Sequence, residues 1–546
     1  MWQQIYLPIG GSLIASSLCA ALPIIVMLVS LGVLRFAAWI SGLLGLASTV
    51  LIAAAVYHMP APLIWQATLF GAAFGLFPIA WVVFWAVVLY RLTLETGQFE
   101  IIKSSVASLT SDRRLQAMMI AFAFGAFIEG ASGFGTPVAV AAAMLTGLGF
   151  SPFEAAALCL LANTAPVAFG AIGTPLVTLA GVTNLPLPAL SASVGQICAP
   201  IAFFIPAYLV GVMEGPGALR AVWPGALVCG LCFAAVQFAV SNYVGPYLTD
   251  ILASLAAIIG LTLLLRVWRP AGAPAVARRP QLGAATLLNA WSGPPQLGAA
   301  TLLRAWSPYI LLVVFALLWG APPVKALLEK ATITFPWPGL DGEIMRLPPV
   351  VPHAQPYPAR FTLNLLSASG TAALLAFVCA APVLGVSVGR LFGIIGRTAR
   401  DLALAIVTMA AVLAIAYLMN YSGCTATLAL AFAATGAAFP FFSAGLGWLG
   451  VFLTGSDTSS NALFGNLQVV TAGKLGFQPV LLAAANSSGG VMGKMISLQS
   501  ISVAAAATGM PRTEEAKLFR FTLRHSILLA CVVGLLVTLY AYLQRG

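Results

Sequence analysis

The sequence predicts an all-α polytopic membrane protein folded as an inverted repeat, with two re-entrant hairpins and two discontinuous helices. Three observations carry that expectation. Of 546 residues, 61% are hydrophobic and 7% charged, and mean hydropathy is +1.01, more apolar surface than a water-soluble core can hide. A stretch at 124–173, FGAFIEGASGFGTPVAVAAAMLTGLGFSPFEAAALCLLANTAPVAFGAIG, has a counterpart at 452–493, FLTGSDTSSNALFGNLQVVTAGKLGFQPVLLAAANSSGGVMG. FIEG, LGFSP and ANT followed by Gly170 answer FLTG, LGFQP and ANS followed by Gly493, at offsets of 325, 327 and 323. Finally, both copies interrupt their apolar runs with Gly, Ser, Thr and Asn at corresponding places, which is how a transporter's binding site shows in sequence.

Other classes fit poorly. The net charge of +11 does not point to nucleic acid, because the basic residues are scattered through short loops between apolar segments, as topology signals are. No cleavable signal peptide is expected, since WQQIYLPIGGSL has no basic n-region and the first apolar segment is long enough to span. All eight cysteines lie in apolar segments, and the Cys229-x-x-Cys232 spacing has no second pair or nearby His, so it reads as helix packing.

The first half covers 1–266. Segments near 12–34, 36–57 and 67–90 each approach the roughly 20 apolar residues a span needs. Residues 91–117 are amphipathic and are expected along the membrane surface. The first hairpin is placed at about 118–148, with two arms of about ten residues, too short to cross separately, around the tip Gly-Ala-Ser-Gly-Phe-Gly-Thr-Pro. Such a tip is tolerable at mid-depth only where protein or water covers its main chain. Residues 154–182 form the first discontinuous helix, broken at Asn163-Thr164-Ala165-Pro166 because Pro166 removes a backbone donor. Spans near 190–213, 221–240 and 250–266 complete this half. A linker follows at 267–306, in which PQLGAATLL occurs at both 280–288 and 295–303. The second half, 307–546, has spans near 307–321, 363–386 and 401–420, a Pro-rich loop at 322–360, a second hairpin at about 443–473, a second broken helix at 478–506 and a last span at 525–543.

Residues 421–440 are apolar enough to cross, and charge decides against it. Placed on the surface, they leave an orientation with the N-terminus outside that assigns 18 of the 25 Lys and Arg residues to cytoplasmic loops. As a span, they would move Arg512, Lys517, Arg520 and Arg524 outside. Seven crossings then separate the hairpins, an odd number, so the hairpins enter from opposite faces.

Glu129 and Asp457 are the carboxylates expected at membrane depth, one at each tip. An ionised group there costs on the order of 3 kcal/mol, and it can take up a proton on one side and release it on the other; the alternative is a permanent partner that only fixes the tip. Lys494 is the basic residue well inside a span and either holds a substrate carboxylate or neutralises Asp457. Asn163, Thr164, Asn486, Ser487 and Ser488 are expected where helices break, with free N–H groups that suit a small carboxylate, against the alternative of ordinary interhelical hydrogen bonding. Gly489 and Gly490 let backbone approach backbone or ligand, and Ser132 and Ser459 offer hydroxyls near the tips. No metal or cofactor is expected, since one carboxylate and a few hydroxyls fall short of a hard-cation site.

WQQIYLP (2–8), GLFPIAW (75–81), ETGQFEIIKSS (95–105), FGAFIEGASGFGTPVAV (124–140), NTAPVAFGAIGTP (163–175), GWLGVFLTGSDTSSNALFGNLQ (447–468), GGVMGKMIS (489–497) and FRFTLRHS (519–526) closely resemble the bacterial L-lactate permease family over nearly the whole chain. The resemblance implies a proton-coupled symporter of the bacterial inner membrane, importing lactate, often with D-lactate and glycolate. It also implies membership of a wider ion-transporter superfamily with inverted repeats and paired hairpins. The expected partners are lactate or a similar 2-hydroxy monocarboxylate, protons and the bilayer, and the protein is not expected to be an enzyme. On the residues alone, two competitors stand: a sodium-coupled carrier of other carboxylates, suggested by TGSDTSSN, and an intramembrane enzyme using Glu129 and Asp457 as a pair.

Overall fold

The computed structural model describes residues 1–133, 135–268, 270 and 298–544. Most of the expected linker, including the first PQLGAATLL, lies outside the described residues, as does Phe134 at the first tip. Among the described residues, twelve helices are long and apolar enough to cross a membrane, and a further pair bent by 64° qualifies together.

In chain order the helices are α1 (Leu13–Gly32), α2 (Ala38–Ala55), α3 (Ala61–Glu95), α4 (Gln98–Ala107), α5 (Arg113–Ala131), α6 (Thr136–Gly147), α7 (Pro152–Ala162), α8 (Gly170–Thr183), α9 (Leu187–Glu214), α10 (Pro216–Tyr243) and α11 (Thr249–Val267). After the linker come α12 (Ala299–Gly320), α13 (Pro322–Glu329), α14 (Ser369–Leu384), α15 (Val388–Ser422), α16 (Cys424–Ala433), α17 (Phe439–Thr454), α18 (Asp457–Leu475), α19 (Pro479–Lys494), α20 (Leu498–Thr508) and α21 (Arg512–Leu543). Residues 421–440 do not form a span of their own: they are the end of α15, the ten-residue α16, a short turn and the first residues of α17.

The order of lengths repeats. A 35-residue helix (α3, α15) leads into a ten-residue one (α4, α16), then a helical hairpin (α5–α6, α17–α18), a helix in two pieces (α7–α8, α19–α20) and a long helix (α9, α21). Local chemistry sets the boundaries. Ser151 and Glu154 cap each other's backbone at the start of α7, and Ser456 and Ser497 cap α18 and α20 by accepting from the N–H groups of Ser459 and Ser500. Of the first hairpin's arms, expected at about ten residues each, α6 has 12 but α5 has 19; in the second hairpin α17 has 16 and α18 has 19. The polar residues near each tip mask the helical continuity of the arms that carry them.

The Pro-rich loop is a small cap rather than irregular chain. Strand β2 (Ile333–Pro336) pairs antiparallel with β5 (Arg360–Leu363), and β3 (Ile344–Arg346) pairs with β4 (Gln355–Pro356) and, in parallel, with β1 (Trp2–Gln3). Gln4 ties this cap to the bundle by donating to the Asn420 and Tyr421 carbonyls, both at 2.9 Å. At the other end, Arg91 pairs with Asp401 and Arg397 with Glu95, both at 2.6 Å, and Arg304 donates to the Leu384 carbonyl. Segments assigned to one side by charge thus meet one another.

At the centre the two halves interlock. The second piece of the first broken helix, α8, packs on α18, while the second piece of the other, α20, packs on α6.

Candidate functional site

The first break falls where the sequence places it. Helix α7 ends at Asn163, the chain turns through Thr164, Ala165 and Pro166, and α8 opens with Ala171, Ile172 and Gly173 at positive φ. Gln237 of α10, which sequence reasoning missed, donates from Nε2 to the freed Ala165 carbonyl at 3.1 Å. Nothing in its neighbourhood marks it out, since a lone Gln in an apolar span has many possible partners.

The second break corrects the expectation. Asn486, Ser487, Ser488, Gly489 and Gly490 sit inside the uninterrupted α19, and the helix breaks after Lys494, at Met495 to Ser497. No freed N–H groups surround Asn486. The glycines explain why the sequence looks broken there: a Cβ at Gly489 would lie 2.1 Å from the Ala444 carbonyl, and one at Gly493 would lie 2.3 Å from that of Trp448. They let α17 and α19 touch backbone to backbone, which is small-residue packing between helices.

The side chains of α18 and α19 form a continuous polar ladder. Ser443 and Gln468 bond each other, Gln468 donates to Asn486 Oδ1 at 3.2 Å, and Asn486 donates to Asn461 Oδ1 at 2.9 Å. Asn461 then reaches Asp457 Oδ2, Ser487 Oγ and the Pro175 carbonyl, each at 3.2 Å, and Ser487 donates to Asp457 Oδ2 at 2.6 Å. Asp457 Oδ1 has no partner and lies against Gly490.

Lys494 is buried and donates to the Gly455 carbonyl at 2.6 Å. Among the described residues it makes no ion pair, yet both Glu129 and Asp457 act on it electrostatically. Glu129, in the last turn of α5, is buried against Gly170 and beside Asn163. Its Oε2 and both amide atoms of Asn163 lack hydrogen-bond partners, as does Ser488 Oγ. The cluster thus gathers residues from both halves around one ammonium group.

Other predicted residues are occupied locally. Ser132 Oγ donates to the Ile128 carbonyl at 3.0 Å and Thr164 Oγ1 to that of Leu161 at 2.7 Å, each bonding back into its own helix. Ser459 is half-buried in the first turn of α18. A third carboxylate joins Glu129 and Asp457: Asp250, near the start of α11, is buried with neither oxygen partnered. Its position at the edge of an expected span hides it in sequence, where it looks like a boundary charge.

A bundle of this many apolar helices, enclosing a cluster of ionisable groups drawn from separate parts of the chain, defines a multi-pass membrane protein. The chain belongs to the L-lactate permease family, whose sequence model matches residues 16–544. It is similar to a glycolate permease of Escherichia coli K12 (45% identity over 100% of this chain and 99% of that one) and to an L-lactate permease of Bacillus subtilis 168 (45%, covering 98% of each). It is also similar to an L-lactate permease of Escherichia coli K12, at 43% identity over 99% of this chain and 98% of that one. Among solved structures it resembles the MtrF efflux pump of Neisseria gonorrhoeae, with a TM-score of 0.46 and 15% identity over 88% of this chain and 84% of that chain.

Proposed function

We propose that the protein is a secondary transporter that imports L-lactate, and with it D-lactate and glycolate, by proton symport across the bacterial inner membrane. The observation that carries the reading is Lys494: a buried ammonium with no ion pair among the described residues, within electrostatic reach of carboxylates from both halves. An unpaired buried charge is costly, and a substrate carboxylate would supply the missing counter-ion. Asn163, beside Glu129, and Ser488, beside Cys198, have polar atoms without a hydrogen-bond partner among the described residues and would take the carboxylate and the 2-hydroxyl, with the first tip's Ser132 and the second's Ser459 nearby in sequence. Relatives named for lactate and for glycolate share the 2-hydroxy monocarboxylate that this donor set suits.

Each acid, Glu129 or Asp457, offers a proton acceptor beside the bound anion. One proton moving with one monocarboxylate is electroneutral, so uptake would follow the pH gradient and be indifferent to voltage. The repeated order of elements supports reading the two hairpins and broken helices as an inverted repeat with the hairpins re-entering from opposite faces. In this reading the N-terminus and the 322–360 cap are outside, and the 267–306 linker is cytoplasmic.

Uptake of labelled lactate and glycolate into proteoliposomes, under imposed proton or sodium gradients, tests the proposal. Unaltered substrate accumulating with an alkaline interior is the expected result. Accumulation driven by sodium and blind to pH would replace the proton with sodium, and chemical conversion of the label would replace transport with catalysis.

A further inference from the structure

The mechanism above leaves open which acid carries the proton, and the structure contains a carboxylate that it does not use. Asp250 is 1% exposed and Glu129 4%. Although Asp250 stands in the first turn of α11, no donor reaches either of its oxygens. The last turn of α5 lies directly on it: a Cβ at Gly130 would be 2.8 Å from Asp250 Cβ and 3.1 Å from the Ile251 nitrogen. Glycine at 130 is therefore what allows the residue after Glu129 to sit on Asp250. The two carboxyl groups act on each other electrostatically.

Asp457 presents the opposite case. Two donors, Ser487 and Asn461, hold its Oδ2. Asp250 has no such bonds. The titratable and charged groups that face the Glu129–Asp250 pair are Lys494 from α19, Cys198 from α9 and, beyond them, Asp457 from α18. One ammonium therefore serves Glu129 and Asp457, and it is held at the Gly455 carbonyl.

We infer that Glu129 and Asp250 act together as the proton-carrying group, with one proton neutralising the pair, while Asp457 and Lys494 form the end of the site that meets the substrate anion. A buried carboxylate with no donor on either oxygen, set against the segment that carries a second buried acid, does not stay ionised beside it in an apolar interior without a counter-charge, and one proton is the smallest change that removes the conflict. When the pair releases that proton, its second negative charge returns beside Lys494 and weakens that residue's hold on a bound anion. Proton loss and substrate release are thereby linked through one ammonium. This rests on the proton-symport reading, and the test separates the two.

Infrared difference spectra of the purified full-length protein, taken through a pH titration in sodium-free buffer, read carboxyl protonation directly and need no transport. Wild type is expected to show a protonated-carboxyl band that is lost or shifted in both Asp250→Asn and Glu129→Gln and kept in Asp457→Asn. A band unchanged in Asp250→Asn, or one abolished by added sodium, overturns the assignment whatever the substrate proves to be. In proteoliposomes, Asp250→Asn is expected to lose the about tenfold accumulation that one proton per lactate yields for each pH unit. Accumulation at the wild-type level in Asp250→Asn overturns the pair, whereas absence of pH-driven accumulation in wild type overturns the symport reading alone. Should Asp250→Asn not fold, Glu129→Gln carries both measurements, with Asp457→Asn as its control.

Discussion

Asn163 and Asn486 occupy the same place in the two copies of the repeat and do opposite things. Asn163 ends a helix, and both of its amide atoms are free; Asn486 lies mid-helix, and both of its amide atoms are bonded, to Asn461 and Gln468. The charges do not repeat either. Thr454 stands where the first copy has Glu129, and Ala171 stands where the second has Lys494. What is kept is the scaffold of hairpin, broken helix and close-packing glycines, while polarity is divided. The first half presents an asparagine with unbonded amide atoms, and the second presents a hydrogen-bonded ladder, open at Asp457 Oδ1 and Ser488 Oγ, with one ammonium at its end. Anchoring is thus assigned to one half and adaptable contact to the other.

The strongest way to break this division is at Lys494. Lys494→Met leaves the ladder untouched and removes the ammonium, so lactate affinity is expected to fall by about 3 kcal/mol, on the order of a hundredfold, with little change in thermal stability. Binding measured calorimetrically or by competition on purified protein checks this, and wild-type affinity in the variant would remove Lys494 from the site. The next effect separates the two asparagines. Asn486→Ala strands a donor on Gln468 and an acceptor on Asn461 and should cost about 2 kcal/mol of stability. Asn163→Ala breaks no such bond, although it removes the amide beside Glu129, and should instead lower uptake about tenfold with the melting temperature unchanged. If both variants lose stability alike, or neither does, the two asparagines are equivalent and the division fails.

How far the sequence reveals this depends on range. The apolar spans, the Asn163 to Pro166 break and the non-spanning 421–440 stretch are legible because hydropathy, proline and charge bias act locally. The second break is misplaced because a run of Asn, Ser, Ser, Gly and Gly has two physical explanations: a broken helix, or one pressed against a neighbour. Only the proximity of Ala444 and Trp448 decides between them. The β1–β3 pairing joins Trp2 and Gln3 to Ile344 and Met345, and no local pattern announces a contact that distant. Asp250 and Gln237 are missed for the same reason, since each acquires meaning from a partner on another helix.

The smallest effect sharpens the contrast between two close glycine contacts, one in each half. A methyl at Gly493 would lie 2.3 Å from the Trp448 carbonyl, part of a helix backbone that cannot turn aside. One at Gly170 would lie 2.6 Å from Glu129 Oε1, the end of a side chain that can rotate. Gly493→Ala should therefore separate α17 from α19 and act on stability, at about 2 kcal/mol, within the range for overpacking a close contact. Gly170→Ala should leave stability within about 0.5 kcal/mol and shift only the pH dependence of uptake, by displacing Glu129 from Asn163. Melting curves and uptake-versus-pH profiles for the two variants check the pair. A Gly170→Ala protein with an unaltered profile would mean that the position of Glu129 does not matter to transport, and the first half would lose its role as the adaptable side.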